Sequence, residues 1–229
     1  MEDTGISMKK RKPYFILNHI PKCAGSSLRK AIFTDCTTNT ENHFYGNVLY
    51  ISTITHGNIN IENHGIECLS KQTRVFVDHS RYGFVEEKFN IKPETAYRCL
   101  TIRNPIDRII SHNNFFSQID VDQLLNDDQS FKKLIAICGN ILSFYMREES
   151  VIERLNSYDF IFDASHQQQS IDKFNSENPY RFNLENIYTN KTSEDTKKTY
   201  PVELINKITQ SIPYEIEIYD KIRKIKGYE

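Results

Sequence analysis

The run Tyr14-Phe15-Ile16-Leu17-Asn18-His19-Ile20-Pro21-Lys22-Cys23-Ala24-Gly25-Ser26-Ser27-Leu28 decides the fold. Residues 14–18 form a short apolar run of the kind a sheet buries, and they predict a strand. Over residues 25–33 the period changes: Leu28, Ala31 and Ile32 fall at i, i+3 and i+4, one helical face turned to a sheet. Between strand and helix lies a short loop of small residues with one lysine. In open α/β folds ligands bind at the carboxyl ends of strands, so this loop is the first place to look for function.

Working outward, residues 48–55, 74–77, 97–102 and 158–162 read as further strands, and residues 131–146 and 166–174 as helices. A last helical region runs from Pro201 to about Gly227, interrupted at Pro213. The strand at 97–102 leads straight into a helix start, with Asn104 as N-cap, Pro105 at the first helical position and Asp107 in the first turn. Ile106, Ile109 and Ile110 then give that helix its buried stripe. The Asn-rich residues 37–47 and the polar residues 189–199 read as loops. Alternation of strand and helix predicts an α/β fold, a central, mostly parallel sheet with helices on both faces. Without repeats or a linker, residues 13–229 read as one domain behind a flexible N-terminus, 1–12.

Composition narrows the function classes. In 229 residues, 38% are hydrophobic and 12% aromatic, too many for a disordered chain. The net charge of −1 removes the electrostatic case for a nucleic-acid partner but leaves room for a local basic patch around a small anion. No apolar run approaches the roughly 18 residues of a membrane span, and the basic stretch Lys9-Lys10-Arg11-Lys12 precedes neither a signal core nor a cleavage site. Five scattered cysteines (Cys23, Cys36, Cys68, Cys99, Cys138) form no CxxC pair, which predicts reduced thiols and a cytoplasmic protein.

Three constellations carry chemistry. In the first, His19 to Ser27, successive N–H groups at a helix N-terminus can make an anion nest, with hydroxyls from Ser26 and Ser27 and a point charge from Lys22. It is not a Walker A loop, because the lysine precedes the small residues. The same residues also suit a plain strand-to-helix turn with a capping serine. In the second, Arg103 closes a strand where its planar fork can hold a phosphate, and Ser111 follows about two helical turns on. An ion pair for Arg103 and a solvated Ser111 is the ordinary alternative. The third, Phe76-Val77-Asp78-His79-Ser80-Arg81-Tyr82-Gly83, ends a strand on a histidine.

Together the first two segments resemble the cofactor-phosphate motifs of sulfotransferases that use 3′-phosphoadenosine 5′-phosphosulfate (PAPS). The likeness is to the carbohydrate group that includes heparan sulfate 2-O-sulfotransferases. There the motifs read like IPKTGGTS and RNPxxRxxS. Here Cys23 and Ala24 replace the Thr and the first Gly, while Arg103-Asn104-Pro105, Arg108 and Ser111 match throughout. Weaker likeness reaches the Tyr219 region.

The resemblance implies a P-loop-like three-layer fold and metal-free transfer of a sulfuryl group from PAPS to an acceptor hydroxyl on a glycan. It implies that Lys22 and the loop Cys23, Ala24, Gly25, Ser26 and Ser27 hold the 5′-phosphosulfate, with Lys22 stabilising the leaving phosphate. Arg103 and Ser111 would hold the 3′-phosphate. Related enzymes often carry a Gly-His pair near the third constellation, so His79 is the candidate base, with a hydrogen-bonded structural histidine as the alternative. Glu86 and Glu87 are the fallback bases. Arg81 reads as a surface salt bridge more readily than as an acceptor contact, and His19 as structural. His56, His64, His112 and His166 show no partner pattern. Asn190-Lys191-Thr192 stands where the group often closes over its nucleotide. A lumenal domain cut from a longer chain would sit in the Golgi. Two other classes stay open: a small-molecule kinase using the same anion nest, and a non-catalytic nucleotide-binding protein in which Cys23 and Ala24 mark a decayed site.

Overall fold

The structure is a computed structural model that describes residues 11–46, 49–55, 58–60, 74–79, 81–146, 151–185 and 200–228. The expected loop at 189–199, Cys68, His56, His64, Ser80 and Asn190-Lys191-Thr192 lie outside these residues, as does the N-terminus to residue 10. Lys12 is tied at 2.9 Å to the Asp159 carboxylate.

Strand β1 (Tyr14–His19) is followed by α1 (Gly25–Thr38), β2 (Leu49–Thr55), β3 (Asn58–Asn60) and β4 (Val75–Asp78). Next come α2 (Phe84–Phe89), β5 (Ala96–Ile102), α3 (Pro105–His112), α4 (Val121–Asn126), α5 (Asp128–Cys138) and α6 (Ile141–Met146). Helix α7 (Val151–Asn156), β6 (Phe160–Asp163), α8 (Gln167–Glu177), α9 (Val202–Ser211) and α10 (Pro213–Lys226) complete the described chain. The sheet order is β3-β2-β4-β1-β5-β6. All neighbours pair in parallel except β2 with the short β3. The expected α/β architecture, a mostly parallel sheet between helices in a P-loop-like three-layer fold, is therefore what the chain adopts.

Both faces of the sheet are covered, and the alternation along each strand says by what. Phe15 and Leu17 of β1, Tyr97 and Cys99 of β5, and Phe160 and Phe162 of β6 bury against Leu28, Ala31 and Ile32 of α1 and Ile171 and Phe174 of α8. On the other face Leu100, Ile102 and Ile161 meet α6, α7 and α10, while Ile16 and Phe76 meet Val85 of α2. Phe15, Ile16 and Leu17 are all fully buried, so each contributes about 1.5–3 kcal/mol of apolar burial to the central strand. That two-sided burial is why residues 14–18 read as continuously apolar rather than alternating.

Several expected elements differ in extent. Helix α1 runs past Phe33 to Thr38 because Thr37 and Thr38 return their hydroxyls to the carbonyls of Phe33 and Thr34. Buried Asp35 on that last turn accepts from the Asn39 and Asn42 side chains and from the Asn183 amide, which orders the Asn-rich segment. The single helix expected over 131–146 is two. Arg108 donates to the Cys138 carbonyl at 2.6 Å, and the Glu215 carboxylate accepts from the amides of Leu142 and Ser143 at 3.0 and 2.9 Å. One contact ends α5 and the other starts α6. The last helical region breaks at Pro213 as expected, with Pro213 in the first turn of α10.

Candidate functional site

The chain leaves β1 towards one side of the sheet and leaves β5 towards the other, so the loops after these adjacent parallel strands part and leave a crevice at their carboxyl ends. Both phosphate-type motifs lie on that crevice.

The loop after β1 is bent by two left-handed residues, Lys22 at φ 66° and Ala24 at φ 57°. Left-handed residues interspersed in a turn aim successive N–H groups into one concavity. Helix α1 begins there with no side-chain cap, its first bonds being Ser27 N–H and Leu28 N–H to the Ala24 carbonyl. The amides ahead of those are the orphan donors every helix leaves at its start. Gly25 is required by contact: a Cβ there would lie 1.7–2.0 Å from the His19 ring. Ser26 is half-buried and Ser27 buried. Cys23 turns its side chain into the core beside Ile20 and Leu100, and burial pushes its thiol up to about 12. Its backbone amide donates to the Ile20 carbonyl at 3.2 Å, so this position offers an anion no thiolate and the loop's open donors lie further on.

Across the crevice Arg103 follows β5 and donates to the Lys22 carbonyl at 3.3 Å. Asn104 caps α3 as expected, its Oδ1 accepting from the amides of Ile106 and Asp107 at 3.0 and 3.3 Å. The Asn104 amide donates to Ser165 Oγ, and the Ser165 amide donates to Asp163 at the end of β6. The Tyr219 hydroxyl of α10 donates to the same carboxylate at 2.9 Å, so this distant residue braces the Arg103 turn. Ser111 is half-buried near the end of α3. Arg108 is buried, with Nη2 on the Cys138 carbonyl and 3.9 Å from Glu215, while its buried Nη1 has no hydrogen-bond partner among the described residues.

Lys22 is half-buried, and its pKa is drawn below the ordinary lysine value first by that burial and then by Arg103. Its ammonium lies over the Phe115 ring, 3.9 Å from the centroid, with Phe116 at 5.6 Å. The pair Phe115-Phe116 is missing from the sequence reading. The available signal was two adjacent aromatics just beyond the RNPxxRxxS segment, in an otherwise polar stretch.

His79 stands beyond β4, half-buried, with Nδ1 2.7 Å from the His19 carbonyl oxygen. A carbonyl oxygen only accepts, so Nδ1 carries a proton and in the neutral ring Nε2 is the basic nitrogen. The two histidine rings lie 4.0 Å apart at 39°. His19 is buried, and its pKa is held well below the usual value by burial, then by His79, Arg29 and Lys22. His19 therefore favours its neutral form between the loop after β1 and His79.

The fallback carboxylates sit elsewhere. Glu86 is buried in a close ion pair with Arg98, which registers with Ile16 in mid-sheet, away from the carboxyl edge. Glu87 is exposed on α2. The surface salt bridge expected of Arg81 gives way to an aromatic contact, its guanidinium 3.8 Å from the Phe144 centroid. His112 packs on Phe116 at 5.0 Å, and His166 precedes α8. Among the described residues no helix is long and apolar enough to cross a membrane, and no three His, Cys, Asp or Glu side chains cluster as a metal site would need.

No curated protein matches the chain. The sequence model of the sulfotransferase family matches residues 6–120, which is half the chain and includes the nest after β1, Arg103 and Ser111. With the parallel sheet and its crevice, that match places the chain among known proteins: it belongs to the sulfotransferase family.

Proposed function

We propose that this chain transfers a sulfuryl group from PAPS to a hydroxyl of a glycan, in the manner of the carbohydrate sulfotransferases that include the heparan sulfate 2-O group. The observation that carries the reading is that Arg103 reaches across the crevice to the Lys22 carbonyl at 3.3 Å, where burial and then the Arg103 charge make the Lys22 ammonium costlier to hold. An anion between them relieves that repulsion, and the nest and uncapped α1 terminus add donors without adding charge. The residues present therefore suit a nucleotide with phosphates at both ends.

When bound, PAPS supplies the sulfuryl group and a phosphate as leaving group. Lys22, the amides of Gly25 and Ser26 and the hydroxyls of Ser26 and Ser27 bind its 5′ end. Charge grows on the leaving oxygen during transfer, and the Lys22 ammonium is the group that meets it. Arg103 and Ser111 bind the 3′-phosphate and so fix the nucleotide's register. His79 holds Nδ1–H on the His19 carbonyl and takes the acceptor's proton at Nε2. The free, buried thiols of Cys23, Cys36, Cys99 and Cys138 support a reducing, cytoplasmic setting.

Calorimetric titration with 3′-phosphoadenosine 5′-phosphate and with AMP tests the reading. The bisphosphate binds more tightly, and Arg103→Ala weakens it by about 1.5–3 kcal/mol while changing AMP little. Equal losses for the two nucleotides overturn it.

A further inference from the structure

Two phenylalanines stand in solvent beside the crevice, Phe115 at 55% and Phe116 at 57% exposure, edge to face at 4.7 Å. Apolar burial does not explain rings held so far out, and the backbone beneath them is unusual. Residues Asn113–Ser117 form a π-helical turn, which ends at Gln118 with φ 50°. Single π turns recur at functional sites because they re-aim side chains.

This turn is clamped from behind. Asn113 is fully buried, donates to the Ile119 carbonyl and to the Tyr200 hydroxyl at 2.9 Å each, and accepts from the Ile119 amide at 3.1 Å. Tyr200, just ahead of α9, donates in turn to Asn114 Oδ1 at 2.8 Å. None of these bonds involves the phenyl rings. The polar clamp sets the backbone, and the backbone presents the rings to the crevice.

What Phe115 meets there is the Lys22 ammonium, 3.9 Å from the ring centroid. We propose that Phe115 is the positioning residue for Lys22: the clamped π turn holds its ring face under the ammonium, which fixes a long, flexible side chain at the mouth of the anion nest before any nucleotide arrives. A cation over a ring face is attracted by the ring's quadrupole, and the attraction grows when water is partly excluded. The ring also favours the ammonium, against the burial and the Arg103 charge that draw the Lys22 pKa down. The catalytic consequence rests on the reading of Lys22 as the group that meets the leaving phosphate.

Two measurements on the full chain test this. In the nucleotide-free protein with isotope-labelled lysine, the Lys22 ε-methylene protons, identified by their absence in Lys22→Arg, resonate upfield through the Phe115 ring current. Phe115→Leu abolishes that shift and Phe115→Tyr keeps it. The second measurement is acceptor-free cleavage of sulfur-labelled PAPS. Here a water oxygen bonds the sulfur, the sulfur–oxygen bond to phosphate breaks with its electron pair staying on phosphate, and the water's proton leaves to solvent. Phe115→Leu lowers kcat for this step by about 3- to 10-fold, with affinity for 3′-phosphoadenosine 5′-phosphate within about two-fold, and Phe115→Tyr restores it. Ordinary exposed-lysine shifts for Lys22 in the wild type overturn the proposal. Wild-type cleavage by Phe115→Leu, while Lys22→Ala is impaired, overturns the role of Phe115 alone. Wild-type cleavage by Lys22→Ala overturns the reading of Lys22 and the catalytic consequence with it.

Discussion

The ring of His19 fills the hollow that Gly25 leaves: a Cβ on Gly25 would sit 1.7 Å from His19 Cδ2 and 1.8 Å from Nε2. The loop after β1 and the residue whose carbonyl holds His79 are thus in direct contact. Gly25→Ala drives the ring off its site and costs about 1–3 kcal/mol by overpacking. Removing the ring as well relieves the clash, so in urea titrations the double variant Gly25→Ala/His19→Ala loses less than the sum of the singles, by about 0.5–3 kcal/mol. Additive losses would show that the two positions do not touch.

Ala24 offers the opposite experiment. It stands at φ 57° as the residue before α1, where a side chain costs roughly 1–2 kcal/mol that glycine avoids. Glycine gives back part of that through the greater entropy of the unfolded chain. Ala24→Gly is expected to raise stability by about 0.5–1 kcal/mol, read as a higher urea midpoint at unchanged slope. A lower midpoint refutes the strain.

Legibility in the sequence followed the range of the interactions. The start of α3 was readable because Asn104, Pro105 and Asp107 are all local to it. The same local signal was available and unread at Asp120 and Asp127, whose carboxylates accept from Asp122 N–H and Gln129 N–H and begin α4 and α5. The break at Gly139 depends on Glu215, far along the chain, and no window of sequence contains both. In the site, Lys22 and Arg103 were legible as motif positions, whereas the contact of Lys22 with Phe115 needs a π turn locked by distant Tyr200. His19 was readable only as structural, because its contacts with Gly25 and His79 join a loop to the ends of two strands.

Neutral, buried His19 makes stability depend on acid. Its folded pKa lies well below the unfolded value of 6.5, so below pH 6.5 the unfolded chain binds a proton that the folded chain refuses. Stability therefore falls as pH drops below 6.5, by at most about 1.4 kcal/mol per pH unit for this one group, and is insensitive to it above. His19→Gln removes the titration. Between pH 5 and 6.5 the variant's stability curve is flatter than the wild type's by up to one proton. Parallel curves would mean that His19 titrates normally in the fold.

The last prediction concerns His79. Its Nδ1–H donates to the His19 carbonyl, so in the neutral ring Nε2 is the basic nitrogen. The two nitrogens can be separated by substitution. His79→Asn puts a side-chain amide N–H near the place of Nδ1 and keeps the bond to His19, but it offers no base. On the proposed reading that variant folds and binds 3′-phosphoadenosine 5′-phosphate as the wild type does, and it transfers labelled sulfuryl to desulfated heparin about 10²–10⁴ more slowly. The wild-type rate rises with pH through the titration of an imidazole, and that limb is missing in the variant. On the same reading, acceptor-free cleavage of PAPS is affected less, since Lys22 rather than His79 would meet the leaving phosphate. Near-normal transfer by His79→Asn moves the base elsewhere; Glu87 is then the carboxylate to test, because Glu86 is bound to Arg98.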